Sequence, residues 1–143
     1  MAGIKKKVVN WTYNGNEITD ISQTPDKSIS FIYKILLEDG TDRYYIGRKT
    51  MRKPNYTSGK LKGQSKGEYP WKSYCGSSKE LLEILKDPSI KYKKEILYFC
   101  YSKAETTYKE TKEILCSGAL TDPLAFNFWI KSLVYSKHLE PNS

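Results

Sequence analysis

Nine Lys or Arg residues fall between Arg48 and Lys79, against the single acid Glu68. That segment alone carries a charge equal to the chain's formal net +8. Such an excess implies a polyanionic partner, most commonly nucleic acid. Tyr56, Tyr69, Trp71 and Tyr74 are interleaved with the cations as stacking groups for bases. Two further tyrosines, Tyr33 and Tyr45, lie in apolar runs on either side of Glu38-Asp39-Gly40. A phenol titrates near about 10 in isolation, and neighbouring cations favour its anion, so Tyr45 beside Arg48 and Lys49 could activate a water. The sole histidine, His138, lies in the polar tail, which removes the usual general base. Cys75, Cys100 and Cys116 are odd in number and have no C-x-x-C spacing, which argues against a disulfide framework and a structural zinc. Reduced thiols are the simpler expectation.

Positioning these groups is a task for one core, since 143 residues lie near the usual size of one domain. Apolar residues make up 38%, and the mean hydropathy of −0.63 is that of a soluble chain. No apolar run approaches the ~20 residues of a membrane span. Met1 to Lys7 is basic, but no apolar stretch follows it, so a cytoplasmic location with no membrane partner is expected.

Val8 to Tyr13 and Asn16 to Thr19 flank Asn14-Gly15, the pattern of a hairpin closed by a type I′ turn. Residues 1–27 are read as a small N-terminal β extension, 28–135 as the main domain and 136–143 as a tail. From Ile29 to Leu37 apolar residues occupy both parities, as in a central strand. Arg43 to Gly47 returns antiparallel. Ser77-Ser78 caps a helix that Asp87-Pro88 stops, and Ile90 to Tyr101 reads as the third strand. Ser102 then caps a helix ended by Gly118, in which Ala104, Tyr108, Thr111 and Leu115 share one face and Ile114 extends it toward Glu110. Asp122-Pro123 opens a last short helix through Phe126, Trp129 and Leu133. Gly59, Gly63 and Gly67 suit a flexible lysine-rich loop that orders on DNA.

Phe31-Ile32-Tyr33 and Tyr44-Tyr45-Ile46-Gly47, separated by a turn, resemble the two motifs that name the GIY-YIG nuclease family. Phe31 stands where the first motif has its glycine. Tyr74-Cys75-Gly76-Ser77-Ser78-Lys79 before a helix, Lys93 to Leu97 in a strand and Glu110 to Ile114 in a helix follow the order of elements in phage-encoded, homing-type members. The likeness covers about residues 29 to 130.

The resemblance implies an α+β fold, a three-stranded antiparallel sheet flanked by helices, and Mg²⁺- or Mn²⁺-dependent hydrolysis of phosphodiester bonds in DNA. In that family a glutamate four positions before an apolar residue is the metal ligand. Glu110 before Ile114 matches, whereas Glu105 precedes Lys109 and Glu113 precedes Ser117. A lone carboxylate completed by water and phosphate oxygens suits Mg²⁺. By the same resemblance Tyr45 is the base and Tyr33 its partner. The family's phosphate-steadying arginine falls at Asn55 here, which leaves Arg48 and, second, Arg52. Lys49 and Lys79 are read as phosphate contacts, and Asn127 as an asparagine that orients substrate or Glu110, or one that satisfies a backbone group.

Both tyrosines must emerge on one face of the hairpin. A two-residue Asp39-Gly40 loop would turn Tyr33 away from Tyr45, while a three-residue loop with Gly40 in the αL position sets them opposite. An odd-numbered loop is therefore expected. The rival reading is a non-catalytic nucleic-acid-binding module on the same fold. Homing enzymes of this type usually carry a separate DNA-reading domain, and the stretch after Glu110 is too short for one. Specificity is then expected from the domain, its N-terminal hairpin or a partner, and a homodimer is one way to cut both strands.

Overall fold

Residues 30–37, apolar at both parities, become the strand with neighbours on both sides. The computed structural model describes residues 9–127, and their elements run β1 (Trp11–Tyr13), β2 (Asn16–Ile18), β3 (Ser30–Leu37), β4 (Tyr44–Thr50), α1 (Lys79–Ile84), β5 (Tyr92–Cys100) and α2 (Lys103–Cys116). The sheet order is β2-β1-β5-β3-β4.

The α+β class holds, but the sheet has five strands and is mixed, because β1 pairs in parallel with β5 while the other pairs are antiparallel. The N-terminal hairpin is thus part of the main sheet and is not set apart from it. Its turn is type I′ as expected, with Asn14 at φ 51° and Gly15 at φ 83°. Trp11 explains the docking. Its ring is fully buried, 4.9 Å from Phe31 and 5.0 Å from Tyr33, and its indole N–H donates to the Trp71 carbonyl at 2.8 Å. An isolated two-stranded hairpin could not bury such a side chain. Docking also covers the outer edge of β5.

Between β3 and β4 the last pairing is Leu37 N–H to the Arg43 carbonyl, which leaves the five residues Glu38 to Asp42. The loop is odd-numbered as expected but two residues longer, because the Asp39 carboxylate folds back on the Thr41 amide and hydroxyl. Gly40 takes φ 90° and Asp42 φ 59°. The register therefore sets Tyr33 across from Gly47, and Tyr45 across from Ile35.

One sheet face carries Phe31, Tyr33, Ile35 and Leu37, packed with Trp11, Trp71 and Leu81. The other carries Ile32, Tyr44, Ile46 and Cys100, covered by Ile114 and Ala119 at the end of α2. The Ser78 hydroxyl accepts from Leu81 N–H to cap α1, and the Ser102 hydroxyl accepts from Glu105 N–H to cap α2. The buried stripe of α2 is not the one expected. Thr106 and Ile114 are inside, eight residues apart with Glu110 midway, while Leu115 is 59% exposed. Contact with the sheet overrides the apolar count, since 106, 110 and 114 repeat at the i, i+4 spacing of one face.

Residues Asp122 to Ala125 form a turn, not the start of a helix, and Ala125 bridges Tyr44 in parallel. Trp129, Leu133 and His138 lie outside the described residues. The basic segment is an ordered excursion, not a structureless one: Lys53 N–H bonds the Gly67 carbonyl, Tyr56 N–H that of Gln64, and the backbones of Arg52 and Glu68 form an antiparallel β-bridge. Among the described residues no helix is long and apolar enough to cross a membrane.

Candidate active site

Strand alternation puts Tyr33, Tyr45 and Gly47 on one face, and the register brings the two rings to 6.1 Å. Tyr33 is fully buried against Trp11, Phe31, Tyr45 and the edge of Tyr74, whose ring is 6.0 Å away at 86°. Its hydroxyl lies over Gly47: a Cβ there would sit 2.5 Å from that oxygen. Tyr45 is half-buried, and its hydroxyl shares a hydrogen bond of 2.9 Å with the Ser77 hydroxyl. Gly76, at φ 92°, lets the loop before α1 come this close, since a Cβ there would lie 3.2 Å from the Tyr45 ring.

Burial pushes the Tyr33 hydroxyl well above the usual phenol range, and the nearby Tyr74, Tyr45 and Glu110 push it further. Tyr33 stays protonated. Burial also raises Tyr45, with Tyr74 and Glu110 adding to the rise, while the Ser77 hydrogen bond opposes it. The expectation that Arg48 and Lys49 favour the Tyr45 phenolate is not met. Arg48 is out of phase with Tyr45 on the strand and points to the opposite face, and the Lys49 ammonium lies over the Tyr74 ring at 4.5 Å.

On that opposite face Arg48 meets α2. Its Nε is 3.8 Å from a Glu110 carboxylate oxygen, and its Nη1 donates to the Thr107 hydroxyl at 2.7 Å. Burial raises the Glu110 carboxyl above its ordinary value, and the Arg48 guanidinium counters this. Glu110 therefore lies beside the stretch of β4 whose other face holds Tyr33 over Gly47, and its charge reaches both tyrosine hydroxyls. β4 is the outer strand of the sheet, so the constellation straddles an edge. A half-buried carboxylate is a hard oxygen donor, the kind that suits Mg²⁺ or Mn²⁺. Among the described residues no three His, Cys, Asp or Glu side chains group together.

Residues 11–132 match the family model described as "Putative endonuclease segE, GIY-YIG domain". The chain belongs to this family. It is a GIY-YIG nuclease domain, hence a phosphodiester hydrolase. Comparisons with curated proteins and with solved structures gave no match.

Within this GIY-YIG domain the remaining sequence candidates separate. Arg52 is drawn away from the tyrosines: its guanidinium donates to the carbonyls of Ile21, Pro25 and Ser28 and to the Ser28 hydroxyl. Asn127 is 9% exposed and grips β4, accepting from Ile46 N–H at 3.0 Å and donating to the Ile46 carbonyl at 2.8 Å. Together with Leu124 and Phe126, which bond the Tyr44 backbone, it closes the β4 edge up to Ile46. The candidate site begins one residue later. Lys79 is exposed at the start of α1, two residues from Ser77, and Asn55 is exposed in the basic loop.

Ser77 bonds the Tyr45 hydroxyl, Tyr74 packs edge-on against Tyr33 and Thr107 accepts from Arg48; the sequence marked Ser77 only as a helix cap and Tyr74 only as a stacking group, and did not mark Thr107. The Ser77-Ser78 pair held a clue, because one cap needs one hydroxyl and Ser78 supplies it. Thr107 had no such signal. Of the interleaved aromatics, Trp71 is core, and lysines lie over the others: Lys66 over Tyr56, Lys53 over Tyr69 and Lys49 over Tyr74.

Proposed function

We propose that this domain is a Mg²⁺- or Mn²⁺-dependent DNA endonuclease whose reaction centre is formed by Tyr33, Tyr45, Arg48 and Glu110. The observation that carries this reading is the Arg48–Glu110 pair at 3.8 Å on the strand whose other face carries the Tyr33 and Tyr45 rings 6.1 Å apart. Hydrolysis of a phosphodiester needs a deprotonated water, neutralisation of the nonbridging oxygens and protection of the leaving alkoxide. Arg48 presents a planar fork to the phosphate oxygens. Glu110 would hold the metal, which when bound supplies positive charge to the phosphate and the leaving oxygen.

Tyr45 is the base, taking the proton of the attacking water at its hydroxyl oxygen once ionised. Ser77 can donate to that oxygen and so favours the anion. Tyr33, fully buried and held protonated, is the partner that positions the Tyr45 ring 6.1 Å away. Lys49 and Lys79 supply further cations for flanking phosphates. Arg52 and Asn127 act through the frame, by fixing Ser28 and Ile46. The order of the motifs supports a phage homing-type or DNA-degrading enzyme working in the cytoplasm. Cleavage of both strands would engage two copies in turn or as a dimer.

Nicking of supercoiled plasmid with Mg²⁺, beside Glu110→Ala and Tyr45→Phe, tests the assignment. Loss in both variants is expected, and unchanged activity in both would refute it. A parent that binds DNA and never nicks would favour a non-catalytic binding module.

A further inference from the structure

A groove of about 690 Å³ opens where β4 leaves the sheet beside the first turns of α2. Arg48, Lys49 and Lys103 line it, with Thr107 on the α2 side and Tyr69 and Tyr74 on the loop side. No acidic residue lines it. Neither Lys49 nor Lys103 has an acidic partner within 4 Å among the described residues. Lys103 lies outside the basic segment and nothing in the motifs points to it.

Arg48 connects this groove to the reaction centre. Its Nε faces Glu110, and its Nη1 bonds Thr107 in the groove wall. A DNA strand placed at Tyr45 and Glu110 therefore continues past one guanidinium into a cationic channel. The two wall tyrosines are poor stacking platforms. The Lys49 ammonium lies 4.5 Å from the Tyr74 centroid and 6.0 Å from that of Tyr69, with Lys53 at 5.5 Å from the latter. A base stacking there would displace an ammonium from a ring face, whereas a phosphate would be attracted to it.

We propose that this groove binds the phosphodiester flanking the scissile one, through Lys103 and Lys49, and reads backbone charge with no preference for the attached base. The proposal rests on the nuclease reading for the place of the cut, but its test is separate, because it measures binding.

The probe is a short DNA duplex titrated with the Glu110→Gln protein over a range of salt, with and without Lys103→Met. Losing one phosphate contact should lower the slope of log Kd against log salt by about 0.9 and weaken binding roughly fivefold near physiological salt. Lys103→Arg should restore both. A scan of single methylphosphonates should find one flanking position whose neutralisation weakens the parent at least as much as Lys103→Met does, and whose effect in Lys103→Met is reduced to the part that Lys49 supplies. Swapping the base at that position should leave Kd unchanged. Lys103 is exposed, so the variant should fold, which a thermal melt checks. An unchanged slope, or affinity that follows base identity, would overturn the proposal. A slope that falls in a protein whose parent never nicks plasmid would keep the groove and refute the nuclease reading alone.

Discussion

The hydroxyl of Tyr33 occupies the space that a side chain at position 47 would need, 2.5 Å from where its Cβ would be. Tyr33 is packed on all sides by aromatic rings, so it has no free volume to retreat into. Gly47→Ala should cost about 1–3 kcal/mol of stability through overpacking. It should also abolish nicking at temperatures where the variant is folded, because Tyr33 and Tyr45 would be forced apart. Denaturant titration and a plasmid assay check the two effects separately.

Ser77 holds Tyr45 at 2.9 Å by a hydroxyl that the α1 cap does not use. Ser77→Ala removes the one contact that lowers Tyr45, so the alkaline rise of the rate should shift to higher pH. Turnover should fall about 10-fold or more with KM little changed, the effect of losing one hydrogen bond to an ionised group. Ser77→Thr should retain the parent profile. A pH–rate series on all three proteins decides it.

Asn127 bonds both backbone groups of Ile46. Asn127→Ala leaves that buried donor and acceptor open and should lower stability by about 1–3 kcal/mol. Asn127→Asp should also destabilise, because a carboxylate cannot donate to the Ile46 carbonyl. Activity lost at unchanged melting temperature would instead assign Asn127 to the substrate.

Lys94 is buried, donates to the Lys72 carbonyl at 3.0 Å, and lies 4.3 Å from the Trp11 ring centroid. Burial lowers its ammonium from 10.5 to about 8. Between those two values the unfolded chain binds a proton that the folded chain does not, so stability rises with pH across that window. The full excursion is on the order of 3 kcal/mol. Above about 10 the sign reverses, because unfolded tyrosines ionise while Tyr44, raised to about 12, and Tyr33 stay protonated in the fold. Unfolding free energy measured from about pH 7 to about pH 10 should climb in the parent and flatten in Lys94→Met.

The sequence by itself determined the elements whose signals are local. The Asn14-Gly15 turn, the Ser78 and Ser102 caps and the two-sided apolar run of β3 each depend on neighbours within a few residues, and each stands where it was read. The odd loop parity was legible too, since strand alternation alone ties Tyr33 and Tyr45 to one face. Which face of α2 turned inward was not, because Leu115 is the more apolar residue but Ile114 meets the sheet.

The tertiary structure alone decided how far each cation reaches. Arg48 and Arg52 are the same residue type four positions apart, yet one faces Glu110 and the other is held by three carbonyls and a hydroxyl around Ser28. Long flexible side chains go where distant acceptors fix them, and those acceptors come from segments separated by 24 to 62 positions along the chain. Local spacing cannot encode such partners. The same holds for Trp11, whose burial against β3 turned an apparent appendage into part of the sheet.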